Sequence, residues 1–318
     1  MPYLLRRCLA AIGVLWLSSI VIFALLHLAP GSPATVLAGA DATKQNIAAI
    51  TRELKLDQPL PVQYWHWLSG VLTGNLGQSY VLQRPIGTLI GERLGSTLEL
   101  MVAATFLMCV GGLLLGVAAA QSGGRLVRGF VDLVSTAALS MPPFVSSVLF
   151  VFVFAISWKI LPAEGQGELF SDPWLAIRFL IMPSVAVALP ASAIIGRLLA
   201  TEMRRAEQEE YVRTAVAKGA GRKRVVLRHV LPNSLGPAMV ELGIRVGELF
   251  AGAIIVESLF DRQGIGSLLV SSVNSRDYLL AMDLLLLSVA FAIVMQLLTE
   301  VGMARVDRRL SLDAADLA

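Results

Sequence analysis

Apolar residues in this chain come in long uninterrupted blocks rather than in the short-period alternation of elements buried on one face. A hydrocarbon core about 30 Å thick is crossed by roughly 20 mostly apolar residues in a helix. Six blocks reach that length: Leu9 to Ala29, Leu98 to Ala120, Leu133 to Trp158, Ala176 to Leu199, Leu235 to Leu259 and Leu279 to Met303. The first, preceded by Arg6 and Arg7, is longer than the roughly 7–15 apolar residues of a signal peptide, so it reads as an uncleaved anchor. The pattern predicts an all-α integral membrane protein of six transmembrane helices. Its segments are 1–29 (N-terminal end and first helix), 30–96 (extracytoplasmic), 97–303 (helices two to six) and 304–318 (tail).

Two polar stretches interrupt the blocks. The outer one, 30–96, carries its own order signals: an amphipathic run from Ile47 to Leu56, then DQPLPVQYWHWL, with Pro59 and Pro61 as punctuation and Tyr64, Trp65 and Trp67 as aromatic anchors. It reads as a small folded or interfacial cap. The inner one, 203–234, contains EYVRTAVAKGAGRKRVVLRHVLPN from Glu210 to Asn233. Residues from Glu207 to Ala217 favour helix, Gly219 and Gly221 break it, and a second short helix runs from Arg222 until Pro232 stops it. Tyr211, Ala215 and Lys218 follow helical spacing, as do Val212, Ala215 and Val216, so one face is small and apolar and suits a groove in a partner. Gly219 permits a sharp turn or a close approach. The same pattern also fits a solvated loop or a helix lying on anionic lipid.

Composition supports the membrane reading: 56% of residues are hydrophobic and 15% charged, against about 25% charged in a soluble domain. Mean hydropathy is +0.71. The net charge of +3 is spread between apolar blocks and not gathered into an aromatic-laced surface, which argues against nucleic acid. The basic residues act better as topology signals. With the N-terminus inside, the inner segments hold Arg6 and Arg7, Arg125 and Arg128, the cluster from Arg204 to Arg228, then Arg305, Arg308 and Arg309. The outer segments balance Lys159, Arg178, Arg262 and Arg276 with Glu164, Glu168, Asp172, Asp261 and Asp277. Both termini are therefore expected in the cytoplasm.

The chemistry is sparse. No Gly-x-x-x-x-Gly-Lys-Ser/Thr loop is present to cradle ATP phosphates, and no His-Glu-x-x-His or Gly-x-Ser-x-Gly motif supports a hydrolase. Cys8 and Cys109 stand alone in apolar blocks, which speaks against a disulfide framework or a Cys-based metal site. His27, His66 and His229 are scattered, and Met101, Met108, Met141 and Met182 read as packing. Charges inside spans face a bundle interior or a wet cavity. The fifth block holds Glu241, Arg245 and Glu248 on one helix face, and Glu257 further out; Asp283 and Glu300 lie in the sixth. They read either as a translocation path or as structural ion pairs. Pro142, Pro143, Pro183 and Pro190 are expected to kink their helices around a cavity.

The inner stretch resembles the cytoplasmic EAA loop of ABC importer permeases, in the form of the dipeptide, oligopeptide and nickel branch. Gly219, Leu231 and Pro232 match the general pattern, while Arg213, Thr214 and Ala215 fill the Glu-Ala-Ala places as in that branch. LDQPLPVQYWHWL, GNLGQS, ERLGSTLEL, SMPPF, ILPAEG and SRDY occur in the branch's order, so the resemblance covers nearly the whole chain. It implies a type I importer permease fold and import of small peptides, with nickel or a metal chelate as the alternative. It implies as partners a second permease subunit, two cytoplasmic ATPase subunits that bind ATP and Mg²⁺, and an extracytoplasmic solute-binding protein; no cofactor is expected in this chain. Glu210, Tyr211, Arg213, Thr214, Ala215, Lys218, Gly219, Leu231 and Pro232 would couple to the ATPases. FDRQGIGSLL departs from the branch's aromatic-Trp-Pro-Gly turn at Arg262 and Gln263, predicting a looser loop, and Asp283 replaces a small or amide residue. An ion-gradient-driven transporter or a membrane scaffold is the rival of another class.

Overall fold

The computed structural model describes residues 2–28, 32–39, 42–122, 124–168 and 171–306. Most of the expected tail, including Arg308 and Arg309, lies outside these residues, as do Ala29 and Pro30 at the expected first boundary. Among the described residues the chain is helical: α1 (Pro2–Leu28), α2 (Pro33–Ala38), α3 (Lys44–Glu53), α4 (Leu60–Thr73), α5 (Ile86–Gln121), α6 (Arg125–Ser140), α7 (Pro143–Phe150), α8 (Pro173–Ala206), α9 (Glu210–Ala217), α10 (Arg222–Val225), α11 (Leu231–Leu259), α12 (Ile265–Asn274) and α13 (Tyr278–Val306). Two π-helical segments, Val151–Ser157 and Val226–Val230, extend α7 and join α10 to α11. The all-α fold class is thus as the hydropathy pattern predicts.

Four helical stretches are long and apolar enough to cross a membrane: Arg6–Leu28, Ile86–Gln121, Pro173–Ala206 and Tyr278–Thr299. The third apolar block is not one rod. It is split into α6 and α7, bent by 108°. The cause is local: Met141 precedes a proline and is forced into extended geometry, Pro142 follows in the same region, and Pro143 restarts the helix at its first position. Pro183 and Pro190, by contrast, lie within α8 without interrupting it. The hydroxyls of Ser184 and Ser192 donate to the carbonyls of Leu180 and Ala188 one turn back, adding side-chain bonds beside the sites where the prolines remove backbone donors. The fifth block is the 29-residue helix α11, which carries the four charges Glu241, Arg245, Glu248 and Glu257.

Contacts divide the chain into two compact units. One comprises Met1–Leu98 and Arg262–Ile293. Its segment between α1 and α5 is ordered by the signals its sequence carries: Ser32 and Thr43 cap α2 and α3 through their hydroxyls, prolines open α4, and Gly74 ends it in left-handed geometry at φ 76°. Trp67 packs with Ile22, Phe23 and Met282, while Ser19 and Tyr64 share a hydrogen bond of 2.9 Å, so α4 is seated on α1 and α13. Trp65 points to the surface. The loop before α12 is tied down, contrary to the looseness predicted for it. Arg262 is buried and donates to the carbonyl and hydroxyl of Ser96, and the amide of Ile265 donates to Thr97 Oγ1 at 2.8 Å.

The other unit comprises Glu99–Asp261 and Val294–Ala318. Helix α8 is its centre, packed by α6, α7 and α11. A seam of small residues brings α5 against α8: a Cβ on Gly112 would stand 2.8 Å from Ile195, one on Gly116 2.8 Å from Leu199, and one on Gly196 2.9 Å from Leu115. Lipid is as apolar as leucine, so helices in a membrane gain from such close backbone approach rather than from hydrophobic burial. Gly243 serves α11 in the same way, since a Cβ there would overlap Thr299 of α13.

Candidate functional site

The polar stretch 203–234 folds as a helical knob. Helix α8 runs through to Ala206, so Glu207 caps its end and does not begin the next helix; α9 starts at Glu210 after Glu209 turns extended. Glu210 in the first turn complements the helix dipole. At the other end the amide of Gly219 donates to Val216 and that of Ala220 to Ala215, the paired bonds of a Schellman motif, with Gly219 at φ 80°. Gly219 therefore serves the turn first: a Cβ there meets nothing within 4 Å, and only the backbone conformation demands glycine.

The surface of α9 differs in one respect from the pattern expected for a partner-facing stripe. Val212 is buried, 5% exposed, where α9 rests on α10 and the π-turn, whose Val225, Val226 and Val230 are buried too. It belongs to the knob's own core. Glu210, Tyr211, Arg213, Thr214, Lys218 and Gly219 are exposed, Ala215 half so, with Tyr211 at 40% and Val216 at 57% providing apolar surface. Partial burial and the nearby Glu209 carboxylate raise the Tyr211 phenol above its ordinary pKa, so it presents a neutral hydroxyl. Pro232 does not stop a helix. It is the second residue of α11, Leu231 beside it is half-buried, and the wider π-turn ahead accommodates its ring. Asn233 donates to the His229 carbonyl at 2.6 Å and Ser234 to that of Val230 at 2.9 Å.

The charges of α11 are brought together as the helical spacing requires. Arg245 donates to Glu241 at 2.6 Å and to Glu248 at 2.5 Å, a guanidinium forked between carboxylates one turn before and one turn after it. Pairing of this kind offsets the cost of partly desolvating the guanidinium. Arg245 and Glu248 line a cavity of about 140 Å³ with Pro143, Val187, Pro190 and Gly252, which puts one proline of the break before α7 and one of α8 in its wall. Glu257 is fully buried further along the same helix.

Asp283 does not join this group, and among the described residues it has no ion pair. It accepts from the Trp67 indole at 2.8 Å, its second oxygen has no hydrogen-bond partner, and it faces an apolar cavity of about 570 Å³ lined by Trp16, Ser19, Leu72 and Ile90. Nearby Asp277 accepts from the Ser79 hydroxyl and from the amides of Tyr80 and Val81, each at 3.2 Å. Burial, then the charges of Asp277 and Asp283, push the Tyr80 phenol up to about 12. These two carboxyls fasten the segment between α1 and α5 to the start of α13. Sequence reasoning missed them as a pair, although SRDY and YWHW each stand out in the chain.

Comparison with known proteins decides the family. The family described as binding-protein-dependent transport system inner membrane component matches residues 112–312, and its N-terminal companion matches residues 1–101. The chain belongs to this family. This permease is 36% identical to the probable peptide ABC transporter permease protein y4tP of Sinorhizobium fredii, over 97% of its own length and 98% of the relative's. It is 34% identical to the glutathione transport system permease protein GsiC of Salmonella typhimurium and 33% identical to that of Escherichia coli K12, each over 92% of this chain and 93% of the relative. In fold it matches a solved amino acid ABC transporter chain with a TM-score of 0.51 at 16% identity, covering 70% of this chain and 94% of that one. It is an ABC importer permease of the peptide and oligopeptide family, a multi-pass inner-membrane subunit that works with membrane partner subunits, ATPases and a binding protein. The ion-gradient-driven and scaffold alternatives are set aside by this membership.

Proposed function

We propose that the permease imports small peptides, delivered outside by a solute-binding protein, through a pathway it forms with a second, similar permease subunit. Two cytoplasmic ATPase subunits bind ATP and Mg²⁺ and drive the cycle; this chain performs no catalytic step and holds no cofactor. Both termini lie in the cytoplasm. The names of its relatives support peptides as cargo, one being a probable peptide permease and others glutathione permeases. No observation favours nickel.

The single observation that carries the coupling role is an ordered helix, α9, capped at its C-terminal end and resting on its own small core, that leaves Tyr211 and Val216 exposed. Glu210, Tyr211, Arg213, Thr214, Ala215, Lys218 and Gly219 enter an ATPase groove, and Leu231 with Pro232 forms the exit into α11. Glu241, Arg245 and Glu248 border the translocation path; Glu257 is a packing charge further along the same helix, and Asp283 is a packing group in its own unit. The test replaces exposed apolar surface only. Tyr211→Asp with Val216→Asp is expected to lower retention of the ATPase subunits on purification roughly tenfold, the factor of 1.4 kcal/mol in binding, with the permease still inserted. Full retention and undiminished ATP-driven uptake would overturn the assignment.

A further inference from the structure

Both ends of the knob converge on one side chain, the last residue of α5. Gln121 Nε2 donates to Glu207 Oε1 at 2.5 Å, just before α9 begins. Arg222, just after the glycine turn, donates to Gln121 Oε1 at 3.3 Å and to the Gln121 carbonyl at 3.1 Å. Arg204 reaches the Ala119 carbonyl at 3.5 Å. Helix α9 is joined to α8 by the covalent turn 207–209 and to α11 through α10 and the π-turn. It has no such chain connection to α5. Among the described residues, the hydrogen bonds from the knob to α5 come from Arg204, Glu207 and Arg222, and two of these three meet at Gln121.

We infer that Gln121 is a positioning residue that makes α5 follow the knob. The carboxamide is suited to this because it donates to a carboxylate and accepts from a guanidinium at once. A glutamate there would keep Arg222 and repel Glu207; a leucine would hold neither. The cations also sit on the last carbonyls of α5, at its C-terminal end, where the helix dipole favours positive charge. Higher up, the Gly112, Gly116 and Gly196 seam leaves no room for α5 to slide on α8 without a clash, so a displacement imposed at Gln121 is carried along both helices as a pair.

The inference rests on the proposed coupling role of α9, and the experiment separates the two. The intact complex, with ATPase subunits and binding protein, carries spin labels at Ala118 on α5 and Ala217 on α9, both exposed. Distances are measured without nucleotide and after trapping with ATP and vanadate, and binding-protein stimulation of ATP hydrolysis is recorded. The expected result is a narrow distance distribution that is the same in both states, because the two helices move together. Q121L and Q121E are expected to broaden it and to reduce stimulation at least about tenfold, Q121E losing one hydrogen bond to a charged group and Q121L two, while the ATPase subunits stay bound. Q121E combined with E207Q reverses the polarity of the bond and is expected to restore both readouts. Retained narrow distances and full stimulation in Q121L and Q121E, or a double variant no better than Q121E, would overturn the inference. Failure of the coupling reading itself appears differently, as ATPase retention that is indifferent to Tyr211→Asp with Val216→Asp.

Discussion

Gly219 separates two demands, the backbone conformation of a turn and the room for a side chain. Its φ of 80° costs an L-residue about 1–2 kcal/mol, yet a Cβ placed there meets nothing within 4 Å inside the chain. Gly219→Ala also restricts the unfolded chain, returning about 0.4–1 kcal/mol. The net cost of about 1 kcal/mol falls on the Schellman bonds from Gly219 and Ala220, and opens them roughly fivefold more often. Gly219→Arg carries the same backbone strain, and in the permease alone its side chain has open space. Amide exchange over residues 216–220 in the isolated permease is therefore expected to speed up equally in both variants. In the assembled transporter they are expected to part, Gly219→Arg losing ATPase subunits and uptake while Gly219→Ala keeps most of both. Two results would refute the reasoning: exchange unaltered by Gly219→Ala, or variants that already differ in the isolated chain.

Two further outcomes follow from the packing. Trp67→Phe leaves the buried Asp283 carboxyl with no hydrogen bond and is expected to destabilise the permease by about 1–3 kcal/mol in detergent thermal unfolding, most of it recovered when Asp283→Leu is added; equal stability of Trp67→Phe and the parent would contradict the latch. Gly112→Leu, with Ile195 already 2.8 Å from the first added atom, is expected to cost about 1–3 kcal/mol, whereas Gly129→Ala, where nothing lies within 4 Å, stays within about 0.5 kcal/mol by the same assay.

Much of the architecture was legible because a membrane makes unusual demands on sequence. Four of the six apolar blocks lie in helices of spanning length and apolarity, and the helix-spaced Glu241, Arg245 and Glu248 meet as spacing alone requires. The fold of the knob was legible in outline, through Gly219 and the short helices around it. What stayed hidden was tertiary. Hydropathy averages over a block, so it does not register that two adjacent prolines turn Leu133 to Trp158 by 108°. Nor does proline's usual role as a helix stop foresee Pro232 inside a helical run, entered through a π-turn in which Val226 and Val230 are buried. Val212 looked like partner surface until α10 was folded beneath it. Asp283 and Trp67 are 216 residues apart, and Gln121, Glu207 and Arg222 share no local pattern; such pairings are set by the chain's return path, not by its neighbours in sequence.

The π-turn at Val226–Val230 has a geometric corollary. A π-turn encloses one residue more than an α-turn, and one residue corresponds to about 100° of rotation about a helix axis. Arg222 to Leu259 is a single helical rod with that spare residue held near one end. Taking it up into α geometry would swing the cationic face of Arg222, Lys223 and Arg224 by more than a quarter circle while α11 kept its orientation. Re-forming α geometry there would therefore reset the angle between the Arg222 end and α11 in one step of about that size.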